Sequence, residues 1–384
     1  MAHLTKPVKY DIKDSNIALL GSDLEKKVRE HAGDKEKAWT EAGKQPGLQI
    51  WRIEKFAVVQ WPSDRSFYDG DSYIILHSYK KTPEAAALSF DLHFWLGENT
   101  TQDEAGTAAF KTVELDDHLG GHPVQYREVQ GYESSRFLSY FPRFICLHGG
   151  VSTGFHHVSS RPPQNLRRLY KISLSRQTGG RSHLQIREVL AEGTSLQEGH
   201  VFVLDKGPEI FQLNTNKSVG QEKFKAAEFV HSLVNDREGQ SEVKVFDEGG
   251  HGAGIFLAEF GLDSVPSKLQ ADQAKPPSGT LPTLYRLSDS SGDVVFKSVE
   301  PVAISSLSSS DAFLLDHSLS PTHPTVYIWI GKSASLMEQR LALQYAQTYA
   351  HKTQSEAGHS KASTSLIKMN EGQEPDIFIR AFDG

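Results

Sequence analysis

Five acidic residues in this 384-residue chain sit where they could hold a cation: Asp71, Glu104, Glu222, Asp311 and Glu338. Asp71 follows Gly70 at the head of the apolar run Ser72-Tyr73-Ile74-Ile75-Leu76, and Glu104 falls three residues after Thr101. Two carboxylates at element ends, with backbone carbonyls at hand, make an oxygen-only set that suits Ca2+; a transition metal would call for His or Cys. Taken alone, Asp71 caps a turn and Glu104 closes a capping box on Thr101. The pair recurs, however, as Ser310-Asp311 with Glu338 at the same two element positions. A third occurrence is incomplete: Glu222 is matched by His200, and a neutral imidazole is a poor ligand for a hard cation. That site is expected to be weak or empty, and His200→Asp is expected to add a cation site.

The capping box at Thr101 and Glu104 opens a helix that Gly120-Gly121 should stop. Ala105, Ala108, Ala109, Phe110, Thr112, Val113 and Leu115 give it an apolar surface broader than one core-facing stripe, so part of it should pack outside its own domain. Asp116 and Asp117 occupy its last turn, where the helix dipole makes each carboxylate unfavourable by roughly 0.3–1 kcal/mol. Something positive must compensate them.

Other motifs carry less. Gly150-Val151-Ser152-Thr153-Gly154 fits a serine-hydrolase elbow, but the residues after Ser152, Phe155-His156-His157-Val158 and then Arg161-Pro162-Pro163, cannot form the helix an elbow needs. Gly249-Gly250-His251-Gly252-Ala253-Gly254 lacks the Lys-Ser/Thr of a phosphate loop, and His156-His157 have no third ligand at metal spacing. Arg161, Arg167, Arg168, Lys171, Arg176 and Arg181 form a basic stretch that is either a solvated face or a site for acidic protein or inositol-phospholipid headgroups.

A net charge of -7 and a pI near 6.2 argue against a general nucleic-acid binder. Cys146, the only cysteine, precludes an intrachain disulfide and fits a reducing compartment; flanked by Phe144, Ile145 and Leu147, it reads as a buried thiol. The N-terminus has no signal-peptide core, and no apolar run approaches the ~18 residues of a transmembrane helix, so a cytoplasmic protein is expected.

One strand order occurs three times. Ile50-Trp51-Arg52-Ile53 is matched by Leu169-Tyr170-Lys171-Ile172 and Leu284-Tyr285-Arg286-Leu287. Gly70–Leu76 is matched by Gly199–Asp205 and Ser310–Asp316, each followed by a second strand and then a helix, expected over Val219–Leu233 and Ala334–Tyr349. Each unit closes on a strand, Gln-Gly or Glu-Gly, and a Phe: Phe137, Phe256 and Phe378. The expectation is an α+β chain of three tandem domains, each a mixed sheet between a long and a short helix. Residues 1–45 form a charged arm with a short helix from Ser22 and an anchor at Trp39. The domains span 46–158, 165–262 and 281–384, and 263–280 is a Pro-containing linker.

On Phe67–Leu76, Thr101–Ala109, Val113–Asp117 and Gly149–Phe155, the chain resembles the gelsolin and villin superfamily, in its three-domain severin and fragmin type. The resemblance covers nearly the whole chain and implies a monomeric, non-enzymatic protein that severs actin filaments in Ca2+ and caps their barbed ends, with nucleation and phosphoinositide regulation as further family traits. It implies a Ca2+ ion on the Gly70 carbonyl, Asp71, Glu104 and the Val151 carbonyl, and another on the Ser310 carbonyl, Asp311 and Glu338. A third ion, shared with an actin carboxylate, falls on Asp116 and the carbonyls of Gly121 and Pro123. Phe110 and Phe155 become actin contacts, and Arg161, Arg167 and Arg168 lipid contacts; Phe141-Pro142-Arg143-Phe144 is less basic than the family's first lipid segment. An actin-monomer binder or capper that does not sever is the alternative.

Overall fold

The computed structural model describes residues 36–382, apart from 63–65, 152–165, 177–181, 267–281, 290–294, 319–324, 340, 343–344, 347–348 and 350–364. The Ser22 helix, Ser152, Phe155, His156-His157, Arg161 and most of the 263–280 linker lie outside the described residues.

The first repeat contributes β1 (Gly47–Glu54), β2 (Ala57–Trp61), β3 (Phe67–Tyr68), β4 (Ser72–Tyr79), β5 (Ser89–Leu96), β6 (Val124–Val129) and β7 (Phe144–Leu147). The second contributes β8 (Arg168–Arg176), β9 (Ser182–Val189), β10 (Val201–Asp205), β11 (Glu209–Asn214) and β12 (Glu242–Asp247). The third contributes β13 (Thr283–Ser288), β14 (Val295–Val299), β15 (Ala312–His317), β16 (Thr325–Ile330) and β17 (Ser365–Asn370). Pairing follows one plan in each: β2-β1-β4-β5-β6, β9-β8-β10-β11-β12 and β14-β13-β15-β16-β17, antiparallel except for a parallel final pair. A parallel pair needs a crossover, and the long helices supply it. They are Gln102–His118, Gly220–Asn235 and a third that includes residues 336–339.

Side-chain alternation along the strands divides each repeat between two cores. Ile74 and Leu76 of β4 meet Trp51, Ile53, Ala108 and Leu115 on the side of the long helix; Tyr73 and Ile75 meet Phe67, Trp95, Phe137 and Phe144 on the other. Trp39 is fully buried in the first of these, edge-on to Trp51 at 5.1 Å, with its indole N–H donating to Glu114 Oε1 at 2.9 Å, so the arm is anchored where its sequence suggested. Cys146 lies in the second, and burial pushes its thiol well above the ordinary range, leaving it unreactive.

Two seams join the repeats. β7 runs parallel to β9, so a piece of the first repeat extends the sheet of the second, and Arg187 Nη2 meets Glu133 Oε2 across the joint at 2.6 Å. β17 pairs antiparallel with β6, through Leu366↔Arg127, Ile367↔Tyr126 and Lys368↔Gln125, which fuses the first and third repeats into a ten-stranded sheet. Val124 and Tyr126 thereby enter a core built mostly of third-repeat residues, among them Phe313, Tyr327 and Phe378.

The residue opposite each site aspartate is glycine. Gly97 N donates to the Asp71 carbonyl at 3.0 Å, and Gly331 N to that of Asp311 at the same distance. A Cβ on Gly97 would lie 2.2 Å from the Asp69 carbonyl oxygen, and one on Gly331 2.3 Å from that of Ser309. Gly97→Ala should therefore destabilise the first repeat by about 1–3 kcal/mol, because backbone must move to admit the methyl. Gly106→Ala, at an exposed helical position with open space around it, should stabilise by roughly 0.5–1 kcal/mol. Melting temperatures of the two variants in chelator check both signs.

Candidate functional site

Asp71 is fully buried at the start of β4, where its loop meets the segment after β7. Gly70 N donates to the Gly149 carbonyl at 2.8 Å, and Val151 N donates to Asp71 Oδ1 at 2.8 Å. Both approaches require glycine: a Cβ on Gly70 would stand 2.5 Å from Gly149 O, and one on Gly150 2.7 Å from Asp71 Oδ1. The other oxygen, Oδ2, faces Arg52 Nη2 at 2.7 Å and accepts from Tyr73 Oη at 3.2 Å. Burial pushes the Asp71 carboxyl up to about 6, against the pull of the Val151 N–H and Arg52, and the Glu104 carboxylate raises it further. Gly70, Asp71, Glu104 and Val151 are thus brought together. Among the described residues no cluster of three His, Cys, Asp or Glu could hold a metal unaided. Two carboxylates and loop carbonyls do fit a hard cation that takes oxygen ligands from the backbone.

Asp311 repeats the arrangement at the start of β15. It is buried, with Arg286 Nη2 2.7 Å from Oδ2 and Ser310 Oγ donating to the same oxygen at 2.7 Å. Here hydrogen bonds from Ser288 and Ser310 and the Arg286 charge outweigh burial and hold the carboxyl below its usual range. Glu338 accepts from Asp289 N and Ser335 N, each at 2.9 Å, and its own N–H bonds Ser335 Oγ at 3.1 Å, which is a complete capping box. Glu222 accepts from Leu174 N at 2.9 Å and Val219 N at 3.0 Å in the same way, although Val219 has no oxygen with which to reciprocate. Glu104 shows the converse half, its N–H donating to Thr101 Oγ1 at 3.2 Å.

The second repeat departs at His200 and at the residue opposite it. Opposite His200 stands Thr215 rather than glycine, and its hydroxyl donates to the His200 carbonyl at 2.6 Å and accepts from Gly199 N and His200 N at 2.9 and 3.0 Å. The hydroxyl holds the 199–200 backbone from the place where, in the other two repeats, the Asp69 and Ser309 carbonyls close directly on Gly97 and Gly331. Sequence reading found the histidine and missed the threonine, which only strand register places opposite it.

At the far end of the first long helix, Asp116 is buried and its carboxyl is raised by burial. Its compensating cation comes from the third repeat: Lys368 Nζ of β17 lies 3.5 Å from Asp116 Oδ2. Asp116 Oδ1 is buried without a hydrogen bond of good geometry, although the Gln125 amide stands near enough to favour the anion. The backbone beyond is covered too. Asn370 Nδ2 donates to the Gly121 carbonyl at 2.7 Å and Gln373 Nε2 to the His122 carbonyl at 2.7 Å, while Pro123 is buried. On the same helix Phe110 is 57% exposed. Covering its ring would be worth about 1.5–3 kcal/mol to a partner.

Of the basic stretch, Arg167 Nη1 pairs with Glu259 Oε2 at 2.9 Å and lies 5.1 Å over the Phe260 ring, and Arg168 Nε lies 3.5 Å from Glu188 Oε1. Both arginines thus have internal carboxylate partners.

The gelsolin repeat family matches at residues 58–138 and 296–379. Gelsolin-like protein 1 of Lumbricus terrestris is 39% identical over 86% of this chain and 86% of its own length. Severin of Echinococcus granulosus is 37% identical over 91% of this chain and 92% of its own. The actin depolymerising venom protein gelsolin 1 of Platymeris rhadamanthus is 33% identical over 89% of each chain.

The Thr215 finding sharpens the expectation for His200. His200→Asp alone should add little Ca2+ binding, because the Thr215 hydroxyl still bonds the 199–200 backbone and keeps it from the path taken opposite glycine; His200→Asp with Thr215→Gly should add a binding event and a Ca2+-dependent rise in melting temperature. Calorimetric titration of both variants decides it, and equal binding by the two would mean that Thr215 is irrelevant.

Proposed function

Because this chain belongs to the gelsolin family, whose members bind actin and are not enzymes, we propose that it is a Ca2+-activated protein that severs actin filaments and caps their barbed ends. The elbow reading of Ser152 falls with family membership. The single observation that carries the Ca2+ switch is the seam between β6 and β17. Lys368, Asn370 and Gln373 of the third repeat lie on the acidic end of the first long helix and on the carbonyls beyond it. Asp116 and the Gly121 and Pro123 carbonyls are the atoms the family resemblance assigns to an ion shared with actin. While the seam is closed Asp116 faces a lysine, the Gly121 carbonyl accepts from the Asn370 amide, and the Gln373 amide covers the His122 carbonyl beside Pro123.

In this reading the chain comprises gelsolin-like domains at 46–158, 165–262 and 281–384 after an N-terminal arm, and works as a cytoplasmic monomer on the actin cytoskeleton. Among the described residues no helix is long and apolar enough to cross a membrane. Gly70, Asp71, Glu104 and Val151 would hold one Ca2+; Ser310, Asp311 and Glu338 another; Glu222 lacks its aspartate. Bound Ca2+ supplies the positive charge that buried carboxylates otherwise take from arginines. Glu338 holds Asp289 N and Ser335 N at the start of the helix that leads into β17, so a cation that draws on this carboxylate acts on that helix end. Once β17 leaves β6, Asp116 is free to meet actin alongside Phe110, which is already exposed; Phe155 is a further contact that the family resemblance assigns.

Labelled filaments watched by microscopy should shorten in micromolar Ca2+ and persist in chelator. Equal cutting in chelator would remove the switch, and capping without shortening would leave a non-severing capper. Asp116→Asn should leave Ca2+ binding by the free protein nearly unchanged and weaken actin affinity in Ca2+ by about 1–3 kcal/mol, whereas Asp71→Asn should lower Ca2+ binding by the free protein. Equal loss in both would make Asp116 a ligand within the domain. Phosphoinositide headgroups would compete with Glu259 and Glu188 for Arg167 and Arg168, with Arg161 nearby in sequence. Neutralising the three arginines should reduce co-sedimentation with phosphoinositide vesicles and its salt dependence together; unchanged co-sedimentation excludes them.

A further inference from the structure

The two complete sites share a feature that neither ligand set contains. Position for position on the first strand of the repeat, Arg52 of β1 and Arg286 of β13 place Nη2 2.7 Å from the Oδ2 of Asp71 and Asp311. In the second repeat the aspartate is His200 and the arginine is replaced as well, by Lys171, whose Nζ lies 3.4 Å from Gln197 Oε1. The arginine therefore accompanies the aspartate.

Its setting in the first repeat is that of a held cation. The Arg52 side chain is 5% exposed, and its guanidinium carbon lies 4.9 Å from the Trp61 ring centroid and 5.5 Å from that of Tyr68. Cation–π contact holds the group over these faces. Arg52 Nε and Nη2 are buried without a hydrogen bond of good geometry, so proximity of charge, not directional bonding, ties the guanidinium to Asp71. Asp71 Oδ1 accepts from Val151 N and Oδ2 from Tyr73 Oη, so a cation that joins this carboxylate does so beside the guanidinium already seated 2.7 Å from Oδ2. A guanidinium does not deprotonate in proteins, so the repulsion between it and a dication has no relief through proton loss.

We propose that Arg52 and Arg286 are tethered counter-ions that compete with Ca2+ for Asp71 and Asp311 and so set the Ca2+ concentration at which the two sites fill. The inference rests on the Ca2+-binding reading above. In the closed protein each arginine neutralises a buried carboxylate that would otherwise be unpaired, which keeps the fold intact without the ion. When the ion arrives, the same arginine opposes it. Arg286 is 45% exposed, so solvent weakens its opposition, and the third-repeat site carries the smaller handicap from this source.

The test is calorimetric titration of the full chain with CaCl2 at about pH 8.5, where carboxylates no longer compete for protons. Arg52→Met should bind Ca2+ roughly tenfold more tightly, and Arg286→Met roughly threefold, while Arg52→Lys, which keeps the charge, should stay close to the parent. Melting should show the complementary sign: Arg52→Met melts lower than the parent in chelator and gains more from Ca2+. Unchanged or weaker Ca2+ affinity in both methionine variants would overturn the proposal and make the arginines structural partners only. If Arg52→Met does not fold in chelator, Arg286→Met carries the same comparison alone. A parent chain that takes up no Ca2+ would overturn the Ca2+ reading itself, a different outcome from one that binds with arginine-independent affinity.

Discussion

Each repeat ends its sheet on a parallel fifth strand, and such a strand leaves a row of backbone donors and acceptors on its outer edge that must be paired, covered or left to water. Three repeats make three such edges, β6, β12 and β17. Two of them cover each other. That pairing brings a lysine of the third repeat to the acid at the end of the first repeat's helix, and it buries Val124 and Tyr126 in a core that is largely the third repeat's own. The remaining edge, β12, ends its sheet with Val243 40% and Val245 55% exposed.

The same seam explains why Asp116 sits in the last turn of a helix. A carboxylate there is opposed by the helix dipole and, in Asp116, by burial as well. Such a group is stable only beside a cation, and its preference for one is strong because little else solvates it. Lys368 supplies that charge at 3.5 Å, longer than a charge-assisted hydrogen bond of about 2.7–2.9 Å. A loose ion pair of this kind can be exchanged for another cation at small loss, which is what a reversible contact requires. Asp71 and Asp311 also sit beside cations, but closer, with arginines at 2.7 Å.

Much of this was legible in the sequence. The long helix, the anchor at Trp39 and the strand order follow from capping residues and period-two alternation. So did the positions of Asp71 and Asp311, because a repeated chain shows its own register. β9 and β14 were not foreseen. In β9, Ser182-His183-Leu184-Gln185-Ile186-Arg187-Glu188-Val189 alternates with polar residues long enough to pass for a solvated loop, and Val295–Val299 is short. Contacts between elements distant in sequence were hidden for a different reason. Lys368 reaches Asp116 across 252 positions and Asn370 reaches Gly121 across 249, and no local pattern encodes a partner that arrives through a shared sheet edge. Thr215 and Arg52 were hidden more simply: each lies opposite or beside its site residue only when strands are paired.

The unequal strengths of the joints indicate where the molecule can open. β6 matches β5 over six residue pairs but β17 over three, so the shorter ladder yields before the repeat does. Arg127 lies in that short ladder opposite Leu366. The seam thus combines a short ladder with a loose ion pair; the β7–β9 ladder is equally short, but that joint has a 2.6 Å Arg187–Glu133 pair and the His148 backbone N–H donating to Glu188 at 3.1 Å. A change that withdraws Lys368 from Asp116 therefore acts on the looser of the two ion pairs and leaves the pair between the first and second repeats in place.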